Sequence, residues 1–166
     1  MKTLPCLVLL SALVTAPGLY ASGSGSAGSS GQPVVKTESP AVTEYNRGVD
    51  LLKQKQFSAA QQAFAKAVTL DPNFAEAYNN LAFTLRKNGQ FAESLRDYNR
   101  ALQLKPNLAE AYMYRGVLYS QMGRKQDAMN DLATLKRLRS PLAKELAEYM
   151  ETGKEDDEWY GATKKI

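Results

Sequence analysis

Carboxylates are the residues of this chain whose spacing most invites a chemical reading. Glu76 and Glu110 stand 34 positions apart in the matching segments NFAEAY and NLAEAY, and Asp97 and Asp131 repeat the interval. Carboxylates set in register can transfer protons or meet a cationic ligand. The first pair is read here as acids facing a ligand, the second as solvated acids complementing helix N-termini. Little else supports catalysis. The chain has no histidine, so it lacks the usual general base, the commonest metal ligand and the one side chain that titrates near neutrality unperturbed. Its single cysteine, Cys6, lies near the N-terminus, which excludes a disulfide or a thiolate metal site in the folded part. Serine–histidine–acid, cysteine–histidine and zinc chemistry are excluded by composition, and no Ser-x-x-Lys occurs. Asp156, Asp157 and Glu158 are consecutive and lack the alternating ligand spacing of a calcium loop. The residues therefore imply no enzyme, no metal, no cofactor and no small-molecule substrate.

The elements that must position these acids follow from organisation along the chain. Of 166 residues, 44% are hydrophobic and 23% charged, average values for a globular protein. The net charge of +4 is not gathered into a basic block, so nucleic acid is not implied. Lys136, Arg137 and Arg139 are read as complementing the negative end of their helix, with membrane contact a minor alternative. Lys2 followed by the apolar stretch Leu4 to Val14 reads as an export signal over residues 1–21. That stretch falls short of the roughly 20 apolar residues a membrane span needs. A periplasmic or secreted location is expected, with an uncleaved N-terminal anchor as the alternative. Residues 22–40 begin with SGSGSAGSSGQP, a flexible linker ending in the Ser39-Pro40 helix start.

From residue 41 the chain repeats with a 34-residue period. DPNFAEAY (71–78) and KPNLAEAY (105–112) align, as do Gly89 with Gly123 and Ala67 with Ala101. Apolar residues recur at helical spacing in pairs of runs: Ala41–Gln54 and Ser58–Leu70, Ala75–Asn88 and Ala92–Leu104, Ala109–Met122 and Gln126–Leu138. Glycine between the paired runs permits a left-handed helix end, and Pro72 and Pro106 break the helices between units. A seventh helix is expected over Pro141–Thr152, with Leu142, Leu146, Tyr149 and Met150 on one side.

This pattern resembles the tetratricopeptide repeat over residues 41–140. Small residues fill the eighth position (Gly48, Ala82, Gly116) and the twentieth (Ala60, Ser94, Ala128). Large ones fill the eleventh (Leu51, Leu85, Tyr119) and the twenty-fourth (Phe64, Tyr98, Leu132). The resemblance implies an all-α fold, a right-handed α-solenoid of three units at 41–74, 75–108 and 109–140. A capping helix at 141–153 and a charged, aromatic tail at 154–166 follow. Glu44 replaces the tyrosines Tyr78 and Tyr112 of the later units, as suits an uncovered end repeat. The resemblance also implies a concave groove lined by the first helix of each unit, binding a protein or peptide. Its lining would include Tyr45, Val49, Glu76, Asn79, Asn80, Phe83, Arg86, Glu110, Met113, Tyr114 and Val117. Asn46 joins Asn80 at the sixth position, and such amides can bond a peptide backbone without demanding sequence. Family members that grip a C-terminal carboxylate use lysine, asparagine and arginine at set positions. Only Asn80 matches, with Tyr45 and Glu110 where lysines would stand, so that specialised grip is not implied. The expected role is an exported, non-enzymatic adaptor. The alternative is an assembly subunit of an envelope complex, self-associating through its repeats.

Overall fold

The computed structural model describes residues 38–155 and 166. Residues 1–21, read above as an export signal, most of the expected linker and Trp159-Tyr160 lie outside the described residues. Among those described, seven helices form the regular structure: α1 (Pro40–Lys53), α2 (Phe57–Leu70), α3 (Ala75–Lys87), α4 (Phe91–Leu104), α5 (Ala109–Gln121), α6 (Lys125–Arg137) and α7 (Leu142–Thr152). These limits lie within a residue or so of those set by the hydrophobic period. The pairs α1–α2, α3–α4 and α5–α6 pack as hairpins, α2 packs on α3 and α4 on α5, and α7 packs on α5 and α6.

Local chemistry explains the helix ends. Ser39 caps α1, its Oγ accepting from the Val42 N–H at 3.2 Å, with Pro40 opening the first turn. Each first helix closes with the same six-residue bond: Gln56 N–H to Leu51 O (2.9 Å), Gln90 N–H to Leu85 O (2.9 Å) and Arg124 N–H to Tyr119 O (2.8 Å). The closure needs a left-handed residue, supplied by Gly89 (φ 78°) and Gly123 (φ 73°) and in the first unit by Lys55 (φ 57°). After α2, the Asp71 Oδ1 accepts from the Asn73 N–H at 2.9 Å and turns the chain into α3.

One continuous core runs through the units. Small residues sit where helices cross. A Cβ on Gly48 would lie 2.6 Å from the Phe64 ring, and one on Gly116 would lie 2.6 Å from Leu146 Cδ2. Gly116 thus admits Leu146 of α7, the contact that seats the terminal helix. Ser94 is fully buried and its hydroxyl donates to the Ala82 carbonyl at 2.7 Å, so its small polar group has a partner inside.

Three charged residues depart from expectation. Asp131 is not a solvated first-turn acid. It sits inside α6, buried, and takes Arg115 Nε (3.0 Å) and Nη2 (2.6 Å) on its two oxygens. Arg115 Nη1 also donates to Asn99 Oδ1 at 2.6 Å, so one guanidinium ties α5 to both α6 and α4. Glu44 is paired rather than merely uncovered, with Lys66 on α2 at 2.5 Å and Arg47 at 2.7 Å. Asp97, within α4 rather than at its first turn, is half-buried, and its carboxyl is pushed up to about 6, chiefly by burial.

Candidate functional site

The 34-residue register aligns α1, α3 and α5, so that Tyr45, Asn79 and Met113 occupy one equivalent position and Asn46, Asn80 and Tyr114 the next. These helices meet one another along this face. The Phe83 ring of α3 meets Tyr114 of α5 edge-on at 5.0 Å, and Asn80 of α3 bonds Tyr45 of α1. The apolar residues expected to line a groove have little exposed surface in this structure. Tyr45, Val49, Phe83, Met113, Tyr114 and Val117 are all buried. Glu76 and Glu110 remain half-buried.

Polar groups are buried on the same face. Asn79 Nδ2 donates to Asn80 Oδ1 (3.1 Å), and Asn80 Nδ2 donates to the Tyr45 hydroxyl (3.2 Å). This relay links both amides to the Tyr45 hydroxyl. Burial, with Glu76 and Glu110 nearby, pushes the Tyr45 hydroxyl up to about 12, so it stays a neutral phenol. Beside the relay lies a cavity of about 320 Å³ bordered by Tyr45, Glu76, Asn79, Glu110 and Ile166. Lys105, on its edge, pairs with Glu76 at 2.6 Å.

Two residues from the far C-terminal end also reach this face. Asn46 Nδ2 donates to the Ile166 carbonyl at 3.0 Å, and the Ile166 N–H donates to Asn46 Oδ1 at 3.1 Å. One side-chain amide thereby pairs with the main-chain N–H and a main-chain oxygen of Ile166. Near the end of α3, Arg86 is only 3% exposed and grips Glu155 with both terminal nitrogens, Nη1 at 3.2 Å and Nη2 closer still. Lys87 Nζ adds a third contact to Glu155 at 3.1 Å, and the Arg86 guanidinium lies 5.2 Å from the Phe83 ring centre. Burial works against the charge on Arg86, but Tyr98 and Glu155 outweigh it and keep the group protonated. Burial likewise raises the Glu155 carboxyl, yet Arg86 and Lys87 hold it below its ordinary value.

Sequence profiles match part of this chain. Profiles described as tetratricopeptide repeat match residues 45–74 and 63–96, and one described as TPR repeat matches 84–123. The chain carries tetratricopeptide repeats. Among solved structures it is similar to the Arabidopsis OM64 TPR domain, at 21% identity and a TM-score of 0.63, covering 69% of this chain and 96% of that one. The first TPR of Spaghetti (RPAP3), bound to the HSP90 peptide SRMEEVD, aligns at 20% identity and a TM-score of 0.63, covering 72% of this chain and 97% of that one. The second TPR domain of human RPAP3, in complex with the HSP70 peptide SGPTIEEVD, aligns at 21% identity and a TM-score of 0.61, covering 68% and 95%. At these identities the likeness is one of fold. A search of curated protein sequences finds no match.

Within the TPR register, the structure brings Tyr45, Glu76, Asn79, Asn80 and Glu110 together around one cavity. Arg86 stands apart from that cavity, engaged by Glu155. The roles of Glu155 and Ile166 were not legible in the sequence, since both lie beyond the last repeat. The only available signal was charge complementarity between the acidic run after Lys154 and the adjacent cations Arg86 and Lys87.

Proposed function

We propose that the face built by α1, α3 and α5 binds an extended segment of another protein, and that the chain is a non-enzymatic adaptor. The observation that carries this reading is the two-way pairing of Asn46 with the Ile166 backbone, at 3.0 and 3.1 Å. A side-chain amide on this face is already arranged to hold a peptide unit whatever its side chain. The peptides held by the similar RPAP3 domains point the same way. In this reading the adaptor works outside the cytosol, on the strength of the signal-like residues 1–21.

The test is site-specific photo-crosslinking of the full chain in its native cells. A photoreactive residue at Asn107, exposed on the cavity rim, is compared with one at Met129 on the outer side of α6. Discrete adducts with another protein from position 107, weakened by Asn46→Ala and missing from 129, are expected. The same adducts from both positions would discard the reading. Adducts only with further copies of the chain would favour the assembly-subunit alternative.

A further inference from the structure

We propose that Arg86 and Lys87 form a seat for an acidic side chain of the bound segment, and that the chain's own Glu155 fills this seat until such a side chain displaces it. The inference rests on the reading that this face holds an extended segment of another protein, and it names one feature of that segment. Arg86 follows Phe83 by one helical turn, on the side of α3 where Phe83 meets Tyr114 of α5. The Phe83 ring centre lies 5.2 Å from the Arg86 guanidinium and 5.9 Å from Lys87 Nζ, and Phe57 of α2 lies 5.7 Å from the same Nζ. The two cations are therefore placed by aromatic rings of α2 and α3, independently of what fills the seat.

The occupant is joined to the seat by one side chain. Glu155 lies beyond α7, which ends at Thr152 with Gly153 in the left-handed conformation. Among the described residues, every hydrogen bond of Glu155 is made by its carboxylate. Oε1 accepts from Arg86 Nη2, and Oε2 accepts from Arg86 Nη1 at 3.2 Å and from Lys87 Nζ at 3.1 Å. No main-chain bond of residue 155 to another described residue has to break for that carboxylate to leave. The outer edge of the seat is open, since the side chains of Glu155 and Lys87 are 17% and 23% exposed. A second carboxylate can thus approach from solvent past Lys87 and take the guanidinium fork as Glu155 departs. Such an exchange strands no charge, because Arg86 trades one carboxylate for another of the same two-oxygen geometry. A neutral or cationic side chain would leave the buried guanidinium unpaired.

The test titrates the full chain with a labelled acetyl-KEDDE-amide peptide, which copies residues 154–158, and with a counterpart whose acids are all replaced by amides. Fluorescence anisotropy gives the affinities, and the Arg86 Nε–H resonance in NMR reports where the peptide sits. In wild type the peptide competes with Glu155, an intramolecular rival at a local concentration of roughly millimolar. Glu155→Ala is expected to bind the acidic peptide saturably and about tenfold more tightly than wild type. The amide counterpart should bind at least about tenfold more weakly than the acidic peptide. Arg86→Met should abolish binding, and Lys136→Ala, which removes an exposed cation from α6, should leave it unchanged. Should Glu155→Ala fold poorly, Glu155→Gln must show the same direction. No saturable binding, equal affinity in wild type and variant, an amide counterpart that binds as well, or binding that survives Arg86→Met would overturn the proposal. So would an Arg86 Nε–H resonance that saturating peptide leaves unmoved in wild type, since the pair would then be a fixed brace. Because the titration needs no partner, crosslinks from position 107 that persist when it fails would remove the seat and leave the peptide-binding reading standing.

Discussion

Replacing Glu155 by glutamine should destabilise the fold far more than the loss of an acid in a charged tail suggests. The Arg86 side chain is 1% exposed and that of Glu155 17%, so the pair is buried at one end and half-open at the other. Removing one partner of a fully buried pair costs about 3–5 kcal/mol, whereas an exposed pair is worth at most about 1 kcal/mol. The exposure of Glu155 moves the cost toward the middle, and glutamine still offers one oxygen, giving about 2 kcal/mol for Glu155→Gln and about 3 kcal/mol for Glu155→Ala. Arg86 has little to fall back on, because its Nε already lacks an acceptor among the described residues. Against a typical total of about 5–15 kcal/mol, such a loss is readily measured by urea unfolding followed by circular dichroism. Arg86→Met supplies the second edge of a double-mutant cycle. With no guanidinium to strand, Glu155→Gln should cost almost nothing in the Arg86→Met background. The pH dependence has a fixed sign. The folded carboxyl lies below its ordinary value, so its stabilising contribution is present above that value and disappears as pH falls through the folded one. The gap between wild type and Glu155→Gln should therefore be flat above about pH 5 and close in acid. A Glu155→Gln chain within about 0.5 kcal/mol of wild type, or a cycle with no coupling, would refute the reasoning.

Two further outcomes follow from the fold itself. Gly116→Ala places a Cβ 2.6 Å from Leu146 Cδ2, so the buried Leu146 side chain must move; a loss of about 1–3 kcal/mol in equilibrium unfolding is expected, partly recovered by adding Leu146→Val. Asp97→Asn should stabilise the protein at neutral pH. Its carboxyl is raised from 3.8 to about 6, mainly by burial, so the wild type loses stability as pH rises across that interval and stays penalised above it. A shift of that size is worth about 3 kcal/mol in full, reduced by solvent screening at a half-buried site to about 1 kcal/mol. Melting temperatures of the two chains should converge near pH 4 and separate by pH 7, and parallel curves would count against it.

The 34-residue period carried most of the fold because it records contacts that recur between neighbouring units. Gly89 and Gly123 announced the left-handed helix ends, and the small residues at the helix crossings announced the close approaches that Phe64 and Leu146 exploit. Lys55 shows the limit of that signal: it adopts the same left-handed conformation without being glycine, since the closing bond from Gln56 to Leu51 holds it there. Contacts made once leave no period to read. Arg86 with Glu155, 69 positions apart, and Asn46 with Ile166, 120 apart, join the repeats to residues outside them. Arg115 with Asp131 was hidden for another reason, since a periodic acid on a helix looks the same in sequence whether water or a guanidinium faces it.

The binding face shows most clearly what register can and cannot specify. Register tells which helix side a residue occupies, but not whether the next unit covers it. Successive first helices approach closely enough for Phe83 to meet Tyr114 at 5.0 Å, so this ring pair joins two units. Around it the half-exposed side chains are polar. Asn46 already bonds the Ile166 main chain, while Glu76 and Glu110 stay half-open. Specificity on this face must therefore come from polar groups and charge, with the aromatic residues setting the rigidity that holds those groups in place.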